Sequence, residues 1–204
     1  MTERPKKRQY RKRGRVQLAP LDLHAAEGHG QCGKARLILQ YAHTSASALL
    51  KAYRLLLRGR KATRGMTTDE EQDLLRAMLV MAAAGLDGMA KQLIRDALPS
   101  LVKCSEAVRS GLETFIQRQI VSDAEGTTAG TGAKFLARVL AAESQQSQVI
   151  EEYIRRLTGG SLQSGEELMR TATALGLKPG QCKIDKDKVQ AIFDIRNQII
   201  HELD

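Results

Sequence analysis

From Gln31 to about Arg58 the apolar residues Ile38, Ala42, Ala46, Leu49, Tyr53 and Leu56 recur every three or four positions. That is the spacing of one face of an α-helix. A basic linker, RGRKATRGM, closes the segment. Thr68 followed three residues later by Glu71 forms a capping-box pattern, and Asp69 and Glu70 suit the positive end of the helix it opens. This second helix carries Leu74, Met78, Met81, Gly85, Met89 and Leu93, with its methionines expected in the core, and Pro99 is expected to stop it. Ser105 suits the cap of a third helix, running to about Val121.

DAEGTTAGTG reads as a flexible loop, followed by shorter helices from Ala133 to Ala142 and on through Arg156, up to Gly159-Gly160. Another spans Gly165 to about Leu175 and ends at Gly176, and the last runs from about Lys186 to Asp204. No segment alternates with period two, and no repeat is evident. The pattern predicts an all-α bundle of six or seven helices, two of them long.

Composition agrees: Trp is absent and aromatics make up 3% of the chain. The three scattered cysteines, Cys32, Cys104 and Cys182, read as reduced thiols. No apolar run approaches the length of a membrane span, and the basic N-terminus is not followed by an apolar stretch. A cytoplasmic protein with no membrane association is expected. The formal charge of +9 is unevenly spread. Met1 to Arg15 holds eight basic residues, Arg4, Lys6, Lys7, Arg8, Arg11, Lys12, Arg13 and Arg15, against one acid, Glu3. The remaining positions carry 24 basic and 22 acidic side chains. Residues 1–17 therefore read as a disordered basic tail of a kind that settles on RNA phosphates, and 31–204 as a single helical domain.

Some stretches resemble sites without meeting their chemical requirements. GTTAGTGAK, Gly126 to Lys134, lacks the Gly-Lys-Ser/Thr run of a phosphate-cradling loop and follows helix rather than strand. His24, Glu27, His29 and Cys32 could ligate zinc, yet no Cys/His pair elsewhere completes a closed site. His43, alone on the first helix, reads as a surface or hydrogen-bonded histidine. No metal or cofactor is expected.

The segment DIRNQIIHELD, Asp194 to Asp204, is different. At about 100° per residue, Val189, Ile192, Phe193, Ile199, Ile200 and Leu203 share one apolar arc with Arg196 at its centre. Asn197 and His201, one turn apart, lie on the shoulder of that arc. A charge inside an apolar stripe is costly unless partnered. Arg196 either pairs with an internal carboxylate, or reaches water, or faces a cleft or second subunit where its donor fork meets a phosphate. His201 can exchange a proton near neutral pH.

Arg196-Asn197-x-x-x-His201 on the last helix of an all-α chain resembles the R-N-x-x-x-H motif of the HEPN superfamily (higher eukaryotes and prokaryotes nucleotide-binding domain). The resemblance covers residues 31–204 and rests on this one motif in its helical context. It implies a HEPN-like bundle that dimerises through the motif helix, so that two Arg/His sets form one RNA-cleaving site. It further implies metal-independent attack of the 2′-hydroxyl on the adjacent phosphate. Arg196 would stabilise the phosphorane, His201 would move protons or hold the phosphate, and Asn197 would orient either. Toxin–antitoxin and anti-phage defence roles, with an antitoxin or regulatory partner, follow from the same resemblance. Two alternatives stay open: a non-catalytic HEPN-like module for dimerisation or RNA/nucleotide binding, and a helical regulator in which this segment is a plain helix end.

Overall fold

A computed structural model of the protein describes residues 17–21, 32–60, 67–124, 131–178, 181 and 185–201. Residues 1–16 of the basic tail and the His24–His29 stretch lie outside the described residues, as do 125–130 of the Gly/Thr-rich loop, Cys182 and Leu203. Among the described residues the chain is all-α, with seven helices: α1 Gly33–Gly59, α2 Asp69–Cys104, α3 Glu106–Ala124, α4 Thr131–Ala141, α5 Gln145–Thr158, α6 Gly165–Ala174 and α7 Lys186–His201.

The long α2 is the element around which the others gather: α1, α3, α5, α6 and α7 all pack on it. Its start is fixed locally. Thr68 Oγ1 accepts from Glu71 N at 3.3 Å, and Glu71 Oε2 accepts from Thr68 N at 3.2 Å. The Glu71 carboxylate is buried, and Arg60 Nη1 from the end of α1 reaches its other oxygen at 3.4 Å. Thr68→Ala is expected to cost about 1 kcal/mol of stability, read as a lowered midpoint in urea unfolding; an unchanged midpoint would mean the box adds nothing to Glu71's pairing with Arg60.

Three contacts define the α1–α2 pairing: Arg60 with Glu71, Ala42 with Gly85, and Ile38 with Gly88. Residue numbers fall on one helix as they rise on the other, so the two form an antiparallel hairpin. Its seam is built from small side chains, with Ala35, Ala42, Ala46, Ala83 and Gly85 all buried. At the closest point a Cβ on Gly85 would collide with the Cβ of Ala42. Small residues let the backbones approach this closely, as at glycine-rich helix crossings generally.

Pro99, expected to end α2, lies inside it. Proline removes one helical hydrogen bond and crowds the preceding turn, at a cost of about 3 kcal/mol. Leu98 and Val102 on either side are buried in the main core cluster with Ile94, Val108, Leu112, Ile150, Tyr153 and Leu175. Burying two such side chains returns roughly 1.5–3 kcal/mol each, so packing carries the helix past the proline to Cys104. The methionine expectation also fails: Met78 and Met89 are only half-buried and Met81 is exposed. On α1, Leu56 is likewise exposed, whereas Leu50 and Tyr53 are buried.

α2 departs from the sequence reading in one more respect. By length and composition it is apolar enough to cross a membrane, its most apolar stretch of 18 residues having a mean hydropathy of 1.3. The same helix carries the Asp87–Lys91 ion pair, 2.7 Å.

Candidate functional site

α7 follows directly on Asp185, whose Oδ1 accepts from Lys188 N at 3.2 Å while its carbonyl accepts from Val189 N at 3.0 Å. The Lys188 ammonium, 2.7 Å from Oδ2, is the main cause holding this carboxyl below its ordinary pKa, helped by the Lys188 backbone N–H. Phe193 then anchors the helix. It is almost wholly buried, in a second cluster with Ala90 of α2, Leu162, and Leu168 of α6, flanked by Leu86 and Val189.

The flank of α7 carrying Gln190 and Asn197 faces the α5–α6 connection. Gln190 Oε1 accepts from Gly165 N at 3.0 Å, and Gln190 Nε2 donates to Asp194 at 2.8 Å. Asn197 Nδ2 donates to Gln163 O at 3.2 Å. That connection is held from its other side by Asp87 of α2, whose Oδ1 accepts from Leu162 N at 2.8 Å. Ser164 caps α6, and Glu167 reaches back to Gln163 N. The loop is thereby fixed between α2 and α7, and it fixes Asn197 in turn.

Arg196 is half-buried, three residues beyond Phe193 on the same helix. Its Nη1 donates to Asn197 Oδ1 at 2.8 Å. Among the described residues no carboxylate pairs with it. The internal salt bridge that the sequence left open is therefore not among the contacts described. His201, one turn beyond Asn197, is exposed. The structure thus joins Arg196 and Asn197 directly and puts His201 on the open surface of the same helix.

The chain matches no protein-family model, no curated protein and no solved structure. What the site can do therefore rests on its own residues.

One part of the predicted arc is corrected. Ile192 was grouped with the apolar stripe, yet it is 43% exposed, and Ile195 nearby is 52% exposed. Ile199, seven residues on and on nearly the same side of α7, is buried, so the stripe is covered toward the helix end and open at Ile192, while Gln190 and Asn197 meet the α5–α6 connection on the other flank. Ile192 and Ile195 are left as an apolar pair on the surface next to Arg196. Sequence reasoning missed Gln163 and Asp87 as supports of the site. Gln163 acts through its backbone and Asp87 from 75 residues before Leu162, so neither leaves a pattern in the chain.

His43, read as a surface or hydrogen-bonded histidine, places Nε2 3.1 Å from Ala19 O. Of the group weighed as zinc ligands only Cys32 is described, and it lies at the start of α1.

Proposed function

We propose that the protein is an endoribonuclease of HEPN type, two copies meeting along α7 to form one site. The observation that carries this reading is the half-buried Arg196 guanidinium, tied to a neutral amide rather than a carboxylate. One of its donors orients it through Asn197 and the Gln163 carbonyl, and the others remain for an anion. The exposed Ile192 and Ile195 supply apolar surface for a second copy beside it, and a two-fold seam would bring each helix against its own equivalent.

In the proposed reaction the 2′-hydroxyl of the RNA attacks the neighbouring phosphorus and its proton passes to one His201 imidazole. The P–O5′ bond breaks, and the leaving oxygen takes a proton from the second copy's imidazole. The products are a 2′,3′-cyclic phosphate and a 5′-hydroxyl. The two Arg196 side chains stabilise the added charge on the phosphorane oxygens. The residues Arg4 to Arg15 would add phosphate contacts without reading sequence. A nuclease acting in a cytoplasm in this way would need a silencing partner, in keeping with a toxin or defence effector.

The test is a mixed RNA incubated with the purified protein in excess EDTA, beside His201→Ala. Cleavage that resists EDTA, leaves cyclic-phosphate ends and disappears in the variant is the expected result. A folded dimer that cuts nothing would replace this reading with the non-catalytic binding module. The exposed His201, with no orienting partner among the described residues, is the feature that favours that second reading.

A further inference from the structure

Away from α7, helices α3, α4 and α5 form a half-open cleft of about 160 Å³ lined by Phe115, Gln119, Phe135, Arg138, Glu152, Arg155 and Arg156. We propose that this cleft grips a backbone phosphate of the RNA strand, as a second contact outside the Arg196–His201 site. The inference rests on the RNA reading above and adds to it the place where the substrate is held.

Charge is the first argument. Three guanidinium groups meet one carboxylate, leaving a net charge of two positive units in a body that is otherwise close to neutral. Glu152 is mostly covered, at 11% exposure, and a single oxygen, Oε1, takes both Arg138 Nη1 at 3.1 Å and Arg155 Nη1 at 2.9 Å. That carboxylate therefore orients two arginines from two different helices without exhausting their donors. Arg138 Nε is also committed, to Lys134 O at 3.3 Å, so Nη2 is the part of its fork left for a ligand. Arg156, exposed in the last turn of α5, pairs with no carboxylate among the described residues. Arg138 and Arg155 meet at Glu152 Oε1 and Arg156 lines the same cleft, and guanidinium forks match phosphate oxygens.

The walls are the second argument. Phe115 and Phe135 meet edge to face, 6.0 Å apart at 88°, and Tyr153, behind Phe115, lies tilted against it at 33° and 5.0 Å. The aromatic side chains give the open, solvated arginines a rigid backing.

Size selects what is bound. Pockets that engulf a whole small molecule start near 300 Å³. This cleft is smaller, so it takes one phosphate while sugars and bases stay outside. That suits a strand, which can lie across several such contacts, better than a free nucleotide. A polyanion also suits the eight basic residues of Met1 to Arg15, which a single acidic side chain would leave unmatched.

The experiment is fluorescence anisotropy of a labelled single-stranded RNA titrated with full-length His201→Ala protein in EDTA over a range of salt. No cleavage is needed in this background, so failure of the nuclease reading would leave the binding result intact. Adding Arg156→Glu is expected to weaken binding about tenfold. It should also flatten the slope of log affinity against log salt by about 0.7 for each phosphate that is no longer neutralised. Arg138→Ala, which leaves Glu152 paired with Arg155, should shift both quantities in the same direction. If the charge reversal unfolds the protein by circular dichroism, Arg156→Ala, which removes no described ion pair, takes its place. Parent affinity and parent slope in both arginine variants would overturn the proposal. So would variants that keep RNA binding but lose binding to phosphatidylserine vesicles or to an acidic peptide.

Discussion

In Arg196→Ala, the proposed RNA cleavage in EDTA is expected to fall by about 10²–10³-fold, the usual effect of removing one preorganised donor from a developing anionic centre. Stability should change little. The described side-chain contact of Arg196 is a hydrogen bond to Asn197 Oδ1, and such bonds contribute about 0.5–1.5 kcal/mol. In a chain of this size that corresponds to a thermal midpoint lowered by at most about 6 °C. Arg196→Lys keeps the charge but not the planar fork, so it should recover only part of the activity. A far larger drop in midpoint for Arg196→Ala would make the arginine a structural residue, and undiminished cleavage would put the chemistry elsewhere.

The largest stability effect is expected at the α1–α2 seam. Gly85→Ala should lower stability by about 2–3 kcal/mol, although alanine is the better helix former by about 1 kcal/mol. The added Cβ would occupy the space of the Ala42 Cβ, and neither group can rotate away, so the two helix axes must part. Parting them strains the rest of a seam made of buried alanines and the Arg60–Glu71 contact at its end. Ala42→Gly should rescue much of the deficit, giving a favourable coupling in a double-mutant cycle. A raised midpoint for Gly85→Ala alone, with no coupling to Ala42, would show a looser crossing in which propensity decides.

Legibility in the sequence followed the range of the interaction. The start of α2 at Thr68 is set by a side chain bonding a backbone N–H three residues on, and the left-handed turn at Gly176 closes α6. Both lie within one turn of the chain, so spacing and residue type reveal them. Ser144 and Ser164 cap α5 and α6 by the same local bond. The helical wheel put Arg196 inside the apolar arc of α7, and the residue is half-buried beside the Phe193 stripe. The wheel gives the side of the helix but not where along it a neighbour lies, so Ile192 is exposed while Ile199, on the same side seven residues on, is buried.

Residue spacing was enough to show that the chain folds as helices, roughly where most of them begin and end, and that Arg196, Asn197 and His201 are carried by the last of them. These follow from a period of 3.6 residues and from caps, which need no distant partner. The passage of α2 through Pro99 was not readable in this way, because it depends on burial of Leu98 and Val102 against α3 and α5 outweighing a local break. Nor was the meeting of Arg138 of α4 with Glu152 of α5, or of Asp87 of α2 and Asn197 of α7 on opposite sides of one loop. Such contacts depend on how helices cross, and packing of whole faces sets the crossing rather than any spacing along the chain.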